Sequence, residues 1–433
     1  MACERRPYAV LLLIMRGAAV VCTAALWLAL NAGCGRSSFG DISPVLCPPS
    51  NAGCAHGDTQ AATRFATWTE LGGAPAATFS STFPTMGGNQ PVSMAFDRLG
   101  KLWLAFSGPE QHGDIGIAAW EASGWVPVDS PGVGNFASLA IDPENRVGVA
   151  WNVAGSQPSV AVAVRDDNAW QRQPTLSVGG TLPVANWGYP ALTFTASNQP
   201  AVAWGFEGSP DSTCIFLLDG SAWVVLPAPN GDPCFSGDDQ RPGLSSVPGT
   251  NTLQLASVPG GALASYALWT GVTWEYAGGT SLVNTSGLAG DFWPVPAMGS
   301  EGPFVAWNAT GTASINLRQW TGTEWAGLGG SETQTGLGPA YYDIAPAVAT
   351  TPAGMPMVAW SGGGAAVFLR YWSGTAWEGL DGSASPGIPV AGVSGAHVAL
   401  TRFGDRTCVA FLYADSFTAA NAGVTVRCID TDW

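Results

Sequence analysis

Ten residues form four groups with the chemistry of a surface for polyhydroxylated ligands. They are Asn186, Trp187 and Tyr189; Asp239 and Arg241; Asp291 and Trp293; and Tyr341, Tyr342 and Asp343. An indole or phenol face takes the apolar face of a sugar ring, while nearby amides, carboxylates and a guanidinium bond its hydroxyls. Pockets of this mixed kind are the default binding site of a protein. Phe136, Phe292 and His397 occupy comparable positions. The competing reading is that these aromatics only cap the inner ends of strands.

Patterns for catalysis are thin. The chain has three histidines, His56, His112 and His397. No Ser-His-Asp arrangement can be read, and neither GxSxG nor HExxH occurs. Asp239, Asp291 and Asp343 could serve as paired carboxylates of a glycosidase, but that chemistry needs a defined separation, which the sequence does not give. The chain is therefore expected to bind rather than to catalyse. No catalytic residue, cofactor or metal is assigned, and the absence of CxxC leaves no support for a zinc site.

The elements that carry these groups repeat. The stretch PFVAWNATGTASINLRQWTGTEWAGLG at 303–329 returns as PMVAWSGGGAAVFLRYWSGTAWEGL at 356–380. Its first anchor, the last residue of a "vAW" strand, falls at Phe106, Trp151, Trp204, Ser257, Trp307, Trp360 and Phe411. Its second, a Trp opening the last strand, falls at Trp125, Trp170, Trp223, Trp274, Trp325, Trp377 and Trp433. Two anchors in one phase give seven copies. Each copy reads as four short strands, a to d, rich in Val, Phe, Trp and Thr and set off by Gly, Pro and Ser turns. A repeated four-stranded unit of this length is the signature of a propeller blade. The expected fold is all-β, a seven-bladed β-propeller with four antiparallel strands per blade over residues 65–433. Residues 67–73, TWTELGG, match strand d, so the N-terminal strand is expected to close the last blade.

In that arrangement the b–c and d–a loops share one end of the ring. The d–a loops at 226–240, 276–290, 327–343 and 379–394 are long and differ from blade to blade, as functional loops on a rigid scaffold do. Sixteen tryptophans fall at the strand b, c and d positions and read as packing between blades. Trp187 and Trp293 fall instead where a long loop meets an inner strand, near the central funnel.

Residues 1–33 carry Arg5 and Arg6, an apolar run and small residues, the pattern of a secretory signal. Residues 34–64 read as a flexible tether. Of nine cysteines, Cys3 and Cys22 leave with the signal. Cys47 with Cys54, Cys214 with Cys234, and Cys408 with Cys428 are the simplest disulfide pairs in an oxidising compartment. The net charge is −15 with a single lysine, Lys101. Such a chain is a poor partner for nucleic acid and has no basic patch for anionic lipid. A monomer is expected.

Three resemblances add to this. Asn31-Ala32-Gly33-Cys34 resembles the lipobox of bacterial lipoproteins, which implies lipid on Cys34 and an outer-membrane or cell-surface location, with plain secretion as the alternative. The blade pattern over 65–433 is similar to the kelch- and sialidase-like repeats of secreted bacterial proteins. The kelch Gly-Gly after strand b is replaced here by Gly-Gly after strand d, and the sialidase Asp box is absent. Arg165, Arg318, Arg370 and Arg427 of strand c, with R-x-W at 318–320 and 370–372, loosely resemble fungal fucose-binding lectins, whose repeated Glu is missing. The reading is an exported, lipid-anchored binding module for a glycan, or alternatively a scaffold for a surface protein, touching the membrane only through its anchor.

Overall fold

Strand b is mostly apolar rather than alternating, and its residues are almost all buried: LWLAFS at Leu102–Ser107, VGVAWNV at Val147–Val153, LQLAS at Leu253–Ser257 and PMVAWS at Pro356–Ser361. A strand with one face in water would alternate. Continuous apolar runs are the mark of a sheet covered on both faces. Here each sheet is covered by the blade before it and the blade after it.

The structure is a computed structural model. It describes residues 67–433 apart from 73–76, 80–91, 108–112, 123, 154–158, 178–185, 208–211, 237–240, 259–262, 280–282, 284–290, 310, 342–343, 363–365, 390–396 and 415–421. The signal segment, the tether, Cys34, and Cys47 with Cys54 lie outside the described residues. So do Asp239, Tyr342 and Asp343.

Seven antiparallel sheets each follow the order a–b–c–d. The inner strands a are Val92–Phe96, Gly134–Ile141, Asn186–Phe194, Gly243–Ser246, Asp291–Gly299, Ala347–Thr350 and Val398–Phe403. The seventh sheet takes strand d from the other end of the chain. Thr69–Glu70 pairs with strand c, Ala422–Asp430, in the register Thr69↔Cys428 and Glu70↔Arg427. Ala77–Phe79 continues the pairing at Ala77↔Val424. The expected closure is thus realised. Trp433 is a correction to the anchor set: it follows strand c without opening a strand, is 40% exposed, and sets its ring edge-on to Tyr371. Trp68 holds the strand-d position instead, and its indole donates to Leu380 O at 2.8 Å.

That bond is one of a series. Trp125, Trp170, Trp223 and Trp377 donate to Leu71 O, Asp129 O, Pro174 O and Leu328 O of the preceding blade. In blades 4 and 5 the equivalents Trp274 and Trp325 are buried without an acceptor for Nε1 among the described residues. In blades 1, 4, 5 and 6 the strand-d Trp lies directly opposite a strand-c Trp, as Trp120↔Trp125 and Trp320↔Trp325 show. Such pairs contribute about 0.5–1.5 kcal/mol each beyond burial. The strand-b tryptophans Trp151, Trp204, Trp307 and Trp360 are at most 2% exposed. Seven apolar clusters fill the seven junctions between blades, the one at blades 7 and 1 joining Leu71, Leu102 and Leu104 to Val424 and Val426.

The long d–a segments are only partly loops. After a break, the chain pairs again with the upper part of strand c at Leu176–Ser177, Phe235–Ser236 and Ile388–Pro389. Two of the breaks share one device. Ser331 Oγ and Ser383 Oγ accept from Leu328 N and Leu380 N and donate to Leu317 O and Leu369 O. Cys214–Cys234 fastens the break in blade 3 to strand c, and Cys408–Cys428 links directly opposed residues of strands b and c in blade 7. No helix among the described residues is long and apolar enough to cross a membrane.

Candidate functional site at the funnel

Regular strands cannot direct consecutive residues to one side, so a side chain is re-aimed by a bulge. Three inner strands carry one at the funnel end: between Asn135 and Ser138, between Trp187 and Pro190, and between Phe292 and Val295. Within two of these bulges, Phe136 and Trp293 take the left-handed backbone conformation, each with φ of 60°. A bulky residue there is a steric outlier, costing roughly 1–2 kcal/mol.

The bulges bring rings onto one cation. The Arg241 guanidinium carbon lies 3.3 Å from the centre of the Tyr189 ring and 3.4 Å from that of Trp293. Phe136 lies 4.0 Å from Tyr189, centre to centre. Arg241 Nη1 donates to the imidazole of His397, 2.5 Å from Nε2. The cluster draws on blades 2, 3, 4, 5 and 7. Arg241 is 8% and His397 4% exposed. Guanidinium groups only donate, so His397 must accept and stay neutral. Burial first, and the Arg241 charge second, push its pKa well below the ordinary 6.5. Burial raises the Tyr189 pKa, against the charge and hydrogen bond of Arg241.

Tyr189, Arg241 and Trp293 are therefore brought together, with Phe136 and His397. Asn186, Trp187 and Asp291 lie on inner strands at the same end, with their side chains outside the description. Tyr341 is 39% exposed. Its carbonyl accepts from Asn308 Nδ2 at 2.7 Å. The strand-c arginines serve other ends: Arg318 donates to Val283 O of the preceding blade, and Arg427 lies 3.6 Å from Glu70.

Sequence reasoning missed the residues that hold these junctions. They follow the first anchor. Asn152, wholly buried, donates to Gly188 O at 2.7 Å in the Tyr189 bulge. Asn308 bonds Tyr341 O and Ile344 O. Ser107 Oγ accepts from Ala137 N beside Phe136. The available signal was a buried amide directly after an all-apolar strand, in Trp151-Asn152 and Trp307-Asn308.

No family model and no curated protein matches the chain. Among solved structures it is similar in fold to an ulvan lyase bound to -[GlcA(1-4)Rha3S]-, with TM-score 0.52, 12% identity, and coverage of 82% of this chain and 95% of that one. It also resembles an α-L-arabinofuranosidase from Fusarium graminearum, with TM-score 0.47, 11% identity, and 85% and 98% coverage. A fucose-specific lectin from Aleuria aurantia gives TM-score 0.46, 16% identity, and 69% and 96% coverage. The molecule is a seven-bladed β-propeller. The expectation that it is not an enzyme is corrected by the first of these: a propeller of like fold, the ulvan lyase, is an enzyme, and fold alone does not separate binding from turnover.

Proposed function

We propose that the chain is an exported propeller that recognises carbohydrate at the funnel end of the ring, with Cys34 as its lipid anchor. The observation that supports this is the convergence of five blades on Arg241, two of them through left-handed backbone at bulky aromatics. Nothing in the blade repeat needs that strain, and strain of this kind gathers at ligand sites. Arg241 fills the gap between Tyr189 and Trp293, so a sugar meets the end of this stack rather than slipping between the rings. Tyr341 offers a ring with open surface, and Asn186, Trp187, Asp239, Asp291, Tyr342 and Asp343 are retained as candidate polar and aromatic contacts by residue type alone.

The test is a glycan array with the purified protein, with release of reducing sugar and of unsaturated products assayed in parallel. Binding to one sugar class, weakened about tenfold by Tyr341→Ala (about 1.4 kcal/mol), supports the reading. Product release assigns turnover to the same site. Silence on both overturns it in favour of a protein partner. The disulfides Cys214–Cys234 and Cys408–Cys428 fit an oxidising compartment. Mass spectrometry of the mature N-terminus tests the anchor, which an unmodified Cys34 would refute.

A further inference from the structure

The opposite end of the ring is laced by hydrogen bonds between the a–b turns of successive blades, and the lacing alternates. In blade 1, Arg98 N donates to Asn145 Oδ1 of blade 2 at 2.5 Å. In blade 3, Ala196 N donates to Thr250 O, and Ser197 N to Asn251 Oδ1. In blade 5, Ser300 N donates to Gly354 O at 2.9 Å. The residues at the donor position in blades 2, 4 and 6 are Pro143, Pro248 and Pro352. Proline has no N–H to give. Between blades 6 and 7 the side chain of Arg402 crosses instead, donating to Thr350 O.

Between blades 2 and 3 the lacing is left undone. Asn198 occupies the turn position that Asn145 occupies one blade earlier, with the same left-handed backbone, φ 65° against 68°. Asn145 Oδ1 receives a backbone N–H. Asn198 Oδ1 faces the blade that carries Pro143, and it is buried with no hydrogen-bond partner among the described residues. A buried acceptor in this state is destabilising until something donates to it. It lines a cavity of about 240 Å³. Phe194 and Leu218 contribute apolar surface there, and Gln171, Gln173 and Gln199 contribute amides. Arg146, which also lines it, is already paired with Asp142 at 2.7 Å and Glu144 at 3.1 Å.

We propose that this cleft is a second binding site, for a neutral sugar residue. Amides offer donors and acceptors together, as sugar hydroxyls require, and the arginine charge is balanced within the protein. The apolar side chains suit the C–H face of a pyranose or furanose. A second cavity of about 410 Å³ shares Arg146 and Asp166 with the first and gives room for the next sugar of a chain. The missing N–H of Pro143 is the feature that keeps Asn198 available. The inference does not rest on the funnel reading, since the two sites share no residue.

The experiment follows side-chain amide resonances of the full chain during titration with cellobiose, lactose and arabinobiose. At least one sugar should shift Asn198, Gln171, Gln173 and Gln199 together. Asn198→Gly keeps the backbone conformation and removes the acceptor. Pro143→Ala restores a donor that competes for it. Each should weaken binding at least tenfold, while Val272→Ala, at an exposed position outside both sites, leaves it unchanged. No shift of these amides with any of the three sugars overturns the proposal, as does unchanged affinity in both variants. A Gly-Ser-Gly-Ser peptide that shifts the same amides as strongly would replace the saccharide with an extended peptide.

Discussion

At the turn end of the ring, Asp97 and Asp142 hold the same place in successive blades and accept from the same two backbone amides: Leu99 N and Lys101 N for one, Glu144 N and Arg146 N for the other. Thr195 and Thr351 do part of this work in blades 3 and 6 through their hydroxyls. At the funnel end, Phe136, Tyr189, Arg241, Trp293 and His397 come from five blades, and no two belong to one blade. Each turn at the first end is held by bonds two and four residues long, repeated, with lacing between successive turns added. The second is made once, by residues that only ring closure brings together. The difference teaches that the repeat encodes the scaffold, and that departures from the repeat mark what is assembled across blades.

The sharpest way to break this comparison is to remove the centre of the funnel cluster. Arg241→Met loses two desolvated cation–π contacts and the bond to His397, with an expected loss of roughly 2–4 kcal/mol in urea unfolding. A loss under about 0.5 kcal/mol would mean that the rings do not depend on the cation. At the turn end, Asp142→Ala deprives the amides of Glu144 and Arg146 of their acceptor. About 1–3 kcal/mol is expected, together with loss of the bond from Arg146 Nε.

The third test uses pH. His397 is neutral in the folded chain, while its unfolded counterpart takes up a proton below about pH 6.5. The stability it contributes is complete above that pH and is lost as pH falls, by at most about 1.4 kcal/mol per unit. His397→Gln, which keeps an acceptor for Arg241, should flatten this part of the profile. Equal slopes in the two proteins would place His397 outside the cluster. The smallest effect sharpens the backbone argument. At φ of 60°, Trp293→Gly should be more stable than Trp293→Ala by about 1 kcal/mol, the reverse of the order in a regular strand.

Much of this was open to sequence reading. The two anchors reported strand packing, and their phase gave the blade count because each blade buries the same positions against the next. Trp68 could be placed in the last blade because Trp-Thr-Glu-Leu-Gly-Gly matched strand d of other copies. The same pattern misplaced Trp433, since spacing cannot tell a strand-opening Trp from one that follows the last strand. Tyr189, Arg241 and Trp293 were legible as exceptions to the repeat. Their mutual stacking was not, because it depends on bulges whose register shift of one residue sets which way a ring points.

By itself, then, the sequence determined what is local and repeated: apolar runs for strands covered on both faces, Asp and Thr in turns whose bonds span two to four residues, and prolines at Pro143, Pro248 and Pro352 that withhold an N–H wherever the chain puts them. Only the tertiary structure decided what is assembled across the ring. Arg241 stacks between rings from the neighbouring blades 3 and 5, and His397 is kept neutral first by burial and then by a cation 156 residues away. Asn198 loses a partner because the blade facing it offers proline. Each of these depends on which blades face one another after closure, a relation that no local spacing encodes.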